Sequence, residues 1–412
     1  MRQMWMGVAA VVLMFVGAGC SSGLDGGSGD RSVRIAVFNA SLNRNVEGKL
    51  LDDLSAGDDP QIRNVAEVIQ RVRPDILLVA EFDYFSADPK LAAQLFRQKY
   101  LGVSQSDRVP VDFPYAFVAP VNTGVPSGFD LDRSGAVVSA RGERQYGNDS
   151  LGWGEFPGQF GMLVLSRFPI DVDNVRTFQK LRWKNMPGAL LPTVPDSGEP
   201  WYSPEALEVL PLSSKSHWDI PIRLPGRRIL HVLAAHPTPP SFDGPEDRNG
   251  KRNHDEIRLF ADYLTGGDAA GYIVDDNGRK GGLEGDASFV IVGDYNADPA
   301  DGNSVAPGIN QLLDHPRVLR YPAPTSVGGA AAVTQGGLNT SHKTPADTDT
   351  ADFTEPEPGN LRVDYVLPSR DFRVTASGVF WPGSGVDGEE LVRMRPRAAT
   401  SDHRLVWIDV KW

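Results

Sequence analysis

Cysteine is almost absent from this chain of 412 residues, and the single one, Cys20, stands near the amino terminus. One cysteine cannot form an internal disulfide. Basic residues are also in short supply, since 41 Lys and Arg face 53 Asp and Glu and the formal net charge is −12. Broad electrostatic capture of nucleic acid needs a basic surface, so this charge argues against it. The negative net charge does not exclude a polyanionic substrate, because a bound divalent metal can supply positive charge locally.

Long hydrophobic runs are missing as well. The apolar run at the amino terminus covers residues 6–16, whereas a membrane-spanning helix needs about 20. Arg2 before this run and the small residues Gly17-Ala18-Gly19 after it give the layout of a secretory signal. We therefore predict a signal peptide over residues 1–19. The Gly-, Ser- and Asp-rich segment that follows predicts a flexible tether over residues 20–31.

The position of Cys20 resembles the lipobox of bacterial lipoproteins, in which the cysteine becomes the lipidated first residue of the mature protein. The sequence departs from that pattern at Gly17, where Leu or Val is usual. A plain signal peptide cleaved elsewhere is therefore an alternative. Both alternatives predict an exported protein that works outside the cytoplasm. With lipidation it is anchored to the bacterial cell membrane, and without it the protein is secreted.

The composition favours a folded α/β domain. The chain is 41% hydrophobic and 23% charged, as folded soluble proteins are, and its 43 Gly and 32 Pro favour a loop-rich β or α/β fold over a helical bundle. Helical spacing of apolar residues predicts helices over residues 61–72 and 257–264. Short apolar runs predict buried strands over residues 33–38, 76–80, 162–165, 229–235, 289–292, 363–367 and 405–410.

Four long polar insertions separate these elements, over residues 122–161, 180–216, 266–287 and 322–360. Loops of this length in a compact domain are usually functional or disordered. The Ala-, Gly- and Thr-rich part of the last insertion, residues 327–350, predicts disorder. Since no internal repeat of 20–50 residues is evident, we expect one domain over residues 32–412.

Polar side chains with the chemistry of ligands follow four of the predicted strands, and two more precede a fifth. These residues are Asn39, Glu81, His236, Asp294 with Asn296, and Asp402 with His403. Active sites of α/β proteins are built at strand ends. Carboxylates with an amide form a hard oxygen site suited to Mg²⁺ or Mn²⁺, and histidines with carboxylate partners suit proton transfer. These parts together predict metal-assisted hydrolysis of a phosphoester.

The order of the surrounding motifs carries a family resemblance. FNAS, LLVAEFD, GMLVLSRFPI, LAAHPTPP, IVGDYNADP, RVDYVL and TSDHRLV follow one another along the chain. In this order they resemble the endonuclease/exonuclease/phosphatase superfamily, whose DNase I-like members hydrolyse phosphoesters. The resemblance runs from about residue 33 to 412, outside the long insertions, and makes residues 32–412 a catalytic domain of this family. It implies a four-layer α/β sandwich in which helices flank two packed mixed β-sheets.

The resemblance implies a metal site at Asn39, Glu81 and Asp402. Glu81 matches the principal ligand of the family, and the ion expected there is Mg²⁺ or Mn²⁺. Ser41 stands two residues after Asn39, where apurinic endonucleases of the family carry an Asp, so we predict no second early ligand.

The catalytic roles that the resemblance implies fall on the other strand ends. Asp294 handles the attacking water or the leaving group, and Asn296 contacts the phosphate. Asp364, in RVDYVL, matches the carboxylate that orients His403, which in turn polarises the phosphate or moves protons. His236 is the candidate acid for the leaving oxygen, and the Asp364–His403 pair is an alternative to Asp294 as the base for water.

Each of these residues also has a structural alternative. Asp294 and Asn296 can close the strand as an Asx-turn, and Asp402 with His403 can be a surface pair. Likewise Asn39 can cap a turn, and His236 can bond the Pro-rich turn after it. An EF-hand loop starting at Asp294 is excluded, because its sixth position is Pro299 where Gly is required and its twelfth is Val305 where Glu is required.

Four further residues are candidate substrate contacts, namely Lys215, His217, Arg248 and Arg252. Arg is well shaped for bidentate contact with phosphate, but solvated loops explain these residues equally well. The sequence leads first to a nuclease-like phosphodiesterase. A sphingomyelinase- or phosphatase-type hydrolase of lipid or small-molecule phosphoesters is the second hypothesis, and a catalytically silent surface lipoprotein is the third. We expect a monomer that touches the membrane only through a lipid anchor.

Overall fold

A computed structural model of the chain describes residues 32–394 and 398–412. The predicted signal peptide, the tether and Cys20 lie outside the described residues. The helices of the described part are α1 (Lys49–Ala56), α2 (Pro60–Val72), α3 (Leu91–Phe96), α4 (Pro204–Val209), α5 (Arg248–Thr265), α6 (Asn310–Leu313) and α7 (Val327–Ala332). Its strands are β1 (Ser32–Asn39), β2 (Ile76–Ala80), β3 (Tyr115–Phe117), β4 (Met162–Ser166), β5 (Arg176–Thr177), β6 (His217–Leu224), β7 (Arg228–Ala235), β8 (Ser288–Asp294), β9 (Asp364–Pro368), β10 (Arg373–Val379) and β11 (Val406–Lys411).

The strands form two mixed sheets. The first has the order β10-β11-β1-β2-β4-β3, and the second has the order β5-β6-β7-β8-β9. Each sheet contains one parallel pair, β1 with β2 in the first and β7 with β8 in the second, among antiparallel neighbours. In both parallel pairs the carboxyl ends of the two strands lie side by side.

Successive side chains along each strand point to opposite faces of its sheet, and the two faces pack into different hydrophobic clusters. Ile35 and Val37 of β1 pack in one cluster with Val290 and Val292 of β8, so this cluster fills the space between the sheets. Residues of the opposite parity on β1 pack with α2 and α3, and those on β8 pack with α5. Strands that are buried on both faces read as continuous apolar runs. The predicted sandwich of helix, sheet, sheet and helix is confirmed.

The start and end of α2 follow from its sequence. The Asp59 side chain accepts the backbone N–H of Ile62 at 2.9 Å, and Pro60 occupies the first helical position, where its missing N–H costs nothing. The helix ends at Val72, and Arg73 caps it in a left-handed backbone conformation just before Pro74. This helix covers the first sheet behind β1 and β2. In the described residues, no helix is both long and apolar enough to cross a membrane.

The prediction of disorder over residues 327–350 is wrong. This segment forms α7 and a series of short 3₁₀ helices. Gly328 donates its N–H to the carbonyl of Trp381 at 2.9 Å, and a Cβ on Gly328 would stand 2.2 Å from the indole ring. The small residues that made the segment look unstructured are therefore what allows α7 to pack closely on Trp381.

Candidate active site

The predicted strand-end residues converge where the two sheets meet. Asn39, the last residue of β1, donates its side-chain N–H groups to Glu81 Oε1 at 3.1 Å and to Asp294 Oδ2 at 3.0 Å. Its amide oxygen accepts the backbone N–H of Ser41 at 3.2 Å. Asn39 therefore ties a carboxylate of the first sheet to one of the second. The amide oxygen has a second lone pair, so a positioning role and the predicted ligand role are compatible at Asn39.

Glu81 adopts a backbone conformation that few glutamates adopt. Its φ is 57°, in the left-handed region, which costs a non-glycine residue on the order of 1 kcal/mol. Asn43 holds the second oxygen of the carboxylate through a hydrogen bond of 2.7 Å. The turn after β2 thus aims the Glu81 side chain into the junction of the sheets. Nothing in the sequence marks Asn43, because an Asn in a loop has many roles.

The electrostatics of Glu81 fit a divalent cation. Burial raises the pKa of Glu81, and the charge of Asp402 raises it further. Two carboxylates brought together in a poorly hydrated place repel each other unless a cation lies between them. Glu81 and Asp402 offer the hard oxygen atoms that Mg²⁺ and Mn²⁺ prefer. The residues present therefore fit the predicted metal.

His403 lies between two carboxylates. Its Nδ1 is 2.9 Å from Asp364 Oδ2, and its Nε2 is 3.6 Å from Asp294 Oδ2. Burial lowers the pKa of His403, but the charges of Asp364 and Asp294 outweigh it and hold the pKa well above its usual value. Asp294, Asp364 and His403 also have spacing compatible with a metal. Because His403 Nδ1 is hydrogen-bonded to Asp364 and its Nε2 faces Asp294, we interpret this trio as a proton-transfer unit.

Thr350 positions Asp364. The Thr350 hydroxyl donates to Asp364 Oδ2 at 2.8 Å and accepts the backbone N–H groups of Val363 and Asp364 at 2.9 and 3.0 Å. The other carboxylate oxygen of Asp364 is buried and has no hydrogen-bond partner among the described residues. Sequence reasoning missed Thr350, because it belongs to the segment that was predicted to be disordered.

Asp294 uses its two oxygens for different purposes. Oδ1 accepts the backbone N–H of Asn296 at 2.9 Å, which is an Asx-turn, while Oδ2 faces Asn39, His236 and His403. Asp294 can therefore close an Asx-turn and have a catalytic role at the same time. Burial raises the pKa of Asp294 to about 6, partly offset by the charge of His403. Its carboxylate is ionised at neutral pH and is a stronger base than an exposed aspartate.

His236 directs its Nε2 at Asp294 Oδ2 over 3.4 Å, and its Nδ1 is buried without a partner among the described residues. Burial, followed by the charges of Lys215 and His403, holds the pKa of His236 well below its usual value. At neutral pH the ring is therefore uncharged. A neutral imidazole is a poor proton donor, so this pKa direction does not favour the predicted role of His236 as the acid, which stays a prediction.

Comparison with known proteins decides the family. A family model described as the Endonuclease/Exonuclease/phosphatase family matches residues 38–403. The chain belongs to the endonuclease/exonuclease/phosphatase family. No curated protein matches the chain at a significant level.

Several solved structures are similar to this endonuclease/exonuclease/phosphatase family member at low identity. A family protein of Beutenbergia cavernae is 17% identical, with a TM-score of 0.48 over 92% of this chain and 72% of that one. Sphingomyelinase C from Streptomyces griseocarneus is 14% identical, with a TM-score of 0.43 over 92% and 99% of the two chains. A mannosyl-6-phosphatase of Bacteroides thetaiotaomicron is 12% identical, with a TM-score of 0.44 over 92% and 100%.

Two of the four side chains of this family member that were predicted to contact the substrate are instead hydrogen-bonded to other residues of the protein. The ring nitrogens of His217 lie 2.6 Å from Ser213 Oγ and 2.9 Å from the carbonyl of Glu256, and burial lowers the pKa of His217 to about 3. Arg252 donates to three backbone carbonyls, at 2.7 to 3.0 Å. Both side chains are buried. These contacts favour structural roles, and they give no support to a substrate contact at either residue.

The other two predicted contacts differ from each other. Arg248 pairs with Glu246 and lies over the ring of Trp201, and within the described part of the chain no hydrogen bond or ion pair joins it to the strand-end residues. Lys215 is buried, and its ammonium group interacts electrostatically with Glu256, Glu81 and Asp294. Of the four, Lys215 is the one that reaches the candidate site.

Proposed function

We propose that this protein is a hydrolase of phosphoesters that depends on Mg²⁺ or Mn²⁺ and works outside the cytoplasm. The observation that carries the proposal is the position of His403 between Asp364 and Asp294, next to the carboxylate of Glu81. In-line attack of water on phosphorus requires a base, a donor to the phosphate and a metal. Asp294, His403 and the acid pair Glu81 and Asp402 can supply these three parts.

In the proposed reaction, the oxygen of water forms a bond to phosphorus while the bond from phosphorus to the opposite oxygen breaks. Glu81 and Asp402 would hold the metal. When bound, the ion offsets the negative charge of the phosphate oxygens. The products are a phosphate and an alcohol, and the alcohol oxygen takes its proton from solvent, since His236 is neutral.

The chain's own residues divide the remaining work. Asp294 accepts a proton from the attacking water, because its pKa of about 6 leaves it ionised yet basic at neutral pH. His403 donates its Nε2–H to a phosphate oxygen that stays bound to phosphorus, and Asp364 holds the ring in the required orientation. Asn296, whose side chain is fixed at 3.1 Å from the Pro237 carbonyl, donates a second N–H to the phosphate.

The substrate is tested by a panel. Plasmid DNA, RNA, sphingomyelin, inositol phosphates and p-nitrophenyl esters are offered to the purified full chain with Mg²⁺, Mn²⁺ or Ca²⁺, and each positive result is repeated after chelation. The proposal expects metal-dependent turnover of at least one class. Cleavage of nucleic acid would support the nuclease-like hypothesis, and cleavage of sphingomyelin or small phosphoesters the second one. Absence of turnover throughout would favour the silent surface lipoprotein.

Export and lipidation at Cys20 form a separate part of the proposal. They are supported by the layout of residues 1–20, with an apolar run followed by small residues and a cysteine. The test is metabolic labelling with palmitate in a bacterial host that processes lipoproteins. The label is expected on the wild type and not on Cys20→Ser. Equal labelling of both, or label on neither, would contradict lipidation.

A further inference from the structure

The ammonium group of Lys215 is buried with few partners. Lys215 precedes β6, and the residue is 6% exposed. Among the described residues its Nζ has one hydrogen bond, to the carbonyl of Pro237 at 3.5 Å. An ammonium has three N–H donors, and a buried donor without an acceptor is costly. At least two N–H groups of Lys215 are thus free to bind another molecule.

The same carbonyl joins Lys215 to the proposed phosphate contact. Pro237 O also accepts Asn296 Nδ2, at 3.1 Å, so the Lys215 ammonium and the Asn296 amide contact the same oxygen atom. Pro237 directly follows His236. Lys215 therefore stands within the strand-end cluster and next to the place where Asn296 meets the phosphate.

The backbone around Lys215 is fixed. The carbonyl of Lys215 accepts the N–H of Asn122 at 3.0 Å, and Ser214 donates both its N–H and its hydroxyl to Glu256 Oε1, at 2.6 and 2.9 Å. Gly152 lies so close that a Cβ there would stand 1.9 Å from the Ser214 carbonyl. These contacts hold the backbone on both sides of the buried Lys215 side chain.

The ammonium changes the charge balance of the site. The charges of Glu256 and Arg252 offset each other, and the Lys215 ammonium also interacts with the carboxylates of Glu81 and Asp294. A phosphodiester carries one negative charge, whereas a phosphomonoester carries up to two at neutral pH. Because the attraction between two charges grows with their product, the Lys215 ammonium attracts a bound monoester more strongly than a bound diester.

We infer that Lys215 binds the phosphate of the substrate and that the preferred substrate is a phosphomonoester. This inference rests on the proposed function and specifies its substrate class. Water forms a bond to phosphorus, the bond from phosphorus to the alcohol oxygen breaks, and inorganic phosphate leaves with the same two charges that Lys215 recognises in the substrate. The diester-specific, nuclease-like hypothesis is its direct competitor.

The first test compares two esters with the same leaving group, p-nitrophenyl phosphate and bis(p-nitrophenyl) phosphate. Lys215→Met should lower kcat/KM for the monoester about 10- to 100-fold, the size of one hydrogen bond to a charged group, with a loss for the diester several-fold smaller. Lys215→Arg should restore part of the monoester rate. Lys251→Met is the matched control, because the Lys251 ammonium also donates to a carbonyl, that of Glu246 at 2.7 Å, without facing the site acids. Equal losses for both esters would overturn the inference.

The second test does not depend on turnover. Calorimetry measures binding of sulfate, a tetrahedral dianion, and of methyl sulfate, its singly charged counterpart. The wild type should bind sulfate more tightly than methyl sulfate, and Lys215→Met should lose about 10-fold or more of the sulfate affinity. If the wild type turns over no phosphoester of the full panel, the proposed function fails, whereas a Lys215-dependent preference for sulfate still supports dianion binding by Lys215. Equal affinities of both anions in the wild type, or an unchanged sulfate affinity in Lys215→Met, overturn it.

Misfolding is separated from loss of function by thermal unfolding. Replacing Lys215 with Met removes a desolvated charge and also a positive neighbour of Glu256, Glu81 and Asp294. These effects on stability oppose each other, so Lys215→Met should stay folded at the assay temperature. Lys215→Gln serves as the second variant, since it keeps a polar group and removes the charge. Sulfate affinity retained in a folded Lys215→Gln protein would also count against a charge-based role.

Discussion

At the scale of single residues, the site depends on side chains whose partners lie far away in sequence. Asn39 bonds Asp294 across 255 positions, and His403 bonds Asp364 across 39. Each bond fixes one atom of a reacting group, so removing one partner disturbs a geometry that several elements share.

His403→Ala should abolish turnover, with a loss of about 100-fold or more, because the charged donor to the phosphate is gone. The fold should persist, since Ala removes a side chain and leaves the backbone of the β11 segment intact. Steady-state kinetics measure the rate, and circular dichroism checks the fold. His342→Ala is the control, a histidine of the long insertion with no catalytic assignment. Near-normal rates in His403→Ala would refute the assignment.

Thr350→Val should lower kcat about 10-fold while leaving KM nearly unchanged. Valine keeps the shape of threonine, but Asp364 loses the hydroxyl donor at 2.8 Å and two backbone N–H groups lose their acceptor. The carboxylate then no longer holds His403 in one orientation. Thr350→Ser should recover most of the rate because it restores the hydroxyl. If the Val variant loses stability and keeps its kcat, Thr350 has only a structural role.

At the scale of elements, the strands that read as uninterrupted apolar runs were predictable and the polar elements were not. β2 covers the residues predicted for it, since all five of its residues are buried. By contrast, α5 begins at Arg248, nine residues before the predicted start, because its first half buries polar residues such as Asn253 and Glu256. Asn253 donates to the carbonyls of Thr238 and Tyr295. Polar side chains that satisfy backbone groups leave no apolar stripe for a periodicity argument to detect.

The same limit applies to the site. Glu81, His236, Asp294 and His403 were predictable because each stands at the end or start of a strand with a family motif. Asn43 and Thr350 were not, since they act by fixing other side chains from loops. His236 was predicted as the acid, which stays a prediction, and the low pKa that its burial produces does not follow from the sequence.

His217 in β6 should make the protein sensitive to acid. Burial lowers the pKa of His217 to about 3, whereas an exposed histidine in the unfolded chain titrates near 6.5. Below that pH the unfolded chain binds a proton that the folded one does not, so stability is full above pH 6.5 and falls as the pH drops. From pH 7 to 5 this group alone should remove about 2 kcal/mol.

Urea unfolding of the wild type and His217→Gln at the two pH values measures this effect. The variant should be less stable at pH 7, because it loses hydrogen bonds to Ser213 and Glu256, yet less sensitive to acid than the wild type. An identical pH dependence in both proteins would show that His217 is already titrating in the folded state.

Gly152→Ala should disturb the segment that carries Lys215. The added Cβ would stand 1.9 Å from the Ser214 carbonyl, so one of the two chains has to shift, at a cost of about 1–3 kcal/mol. Thermal unfolding measures the loss, and phosphoester turnover should fall with it. Gly285→Ala is the matched control, because nothing lies within 4 Å of a Cβ there. Equal stability of the two variants would contradict the close packing of these loops.

At the scale of the whole molecule, the two sheets bring complementary parts to one junction. The first sheet supplies Asn39 and Glu81 at the ends of its parallel pair, and the second supplies His236 and Asp294 at the ends of its own. Each sheet alone has half of a site. The net charge of −12 is consistent with this site. An acidic protein that binds phosphate needs positive charge close to the phosphate, which a metal, His403 and Lys215 would supply.

The central claim is that these carboxylates form a metal site. It is tested by removing bound metal from the full chain and then measuring its affinity for Mn²⁺ by calorimetric titration. The wild type should bind the ion and regain phosphoester turnover in proportion to occupancy, and Glu81→Gln should lose about 10-fold or more of the affinity together with turnover. Glu284→Gln, a change to an exposed glutamate before β8, should behave as the wild type. Unchanged Mn²⁺ affinity in Glu81→Gln, or full turnover without metal, would contradict the account.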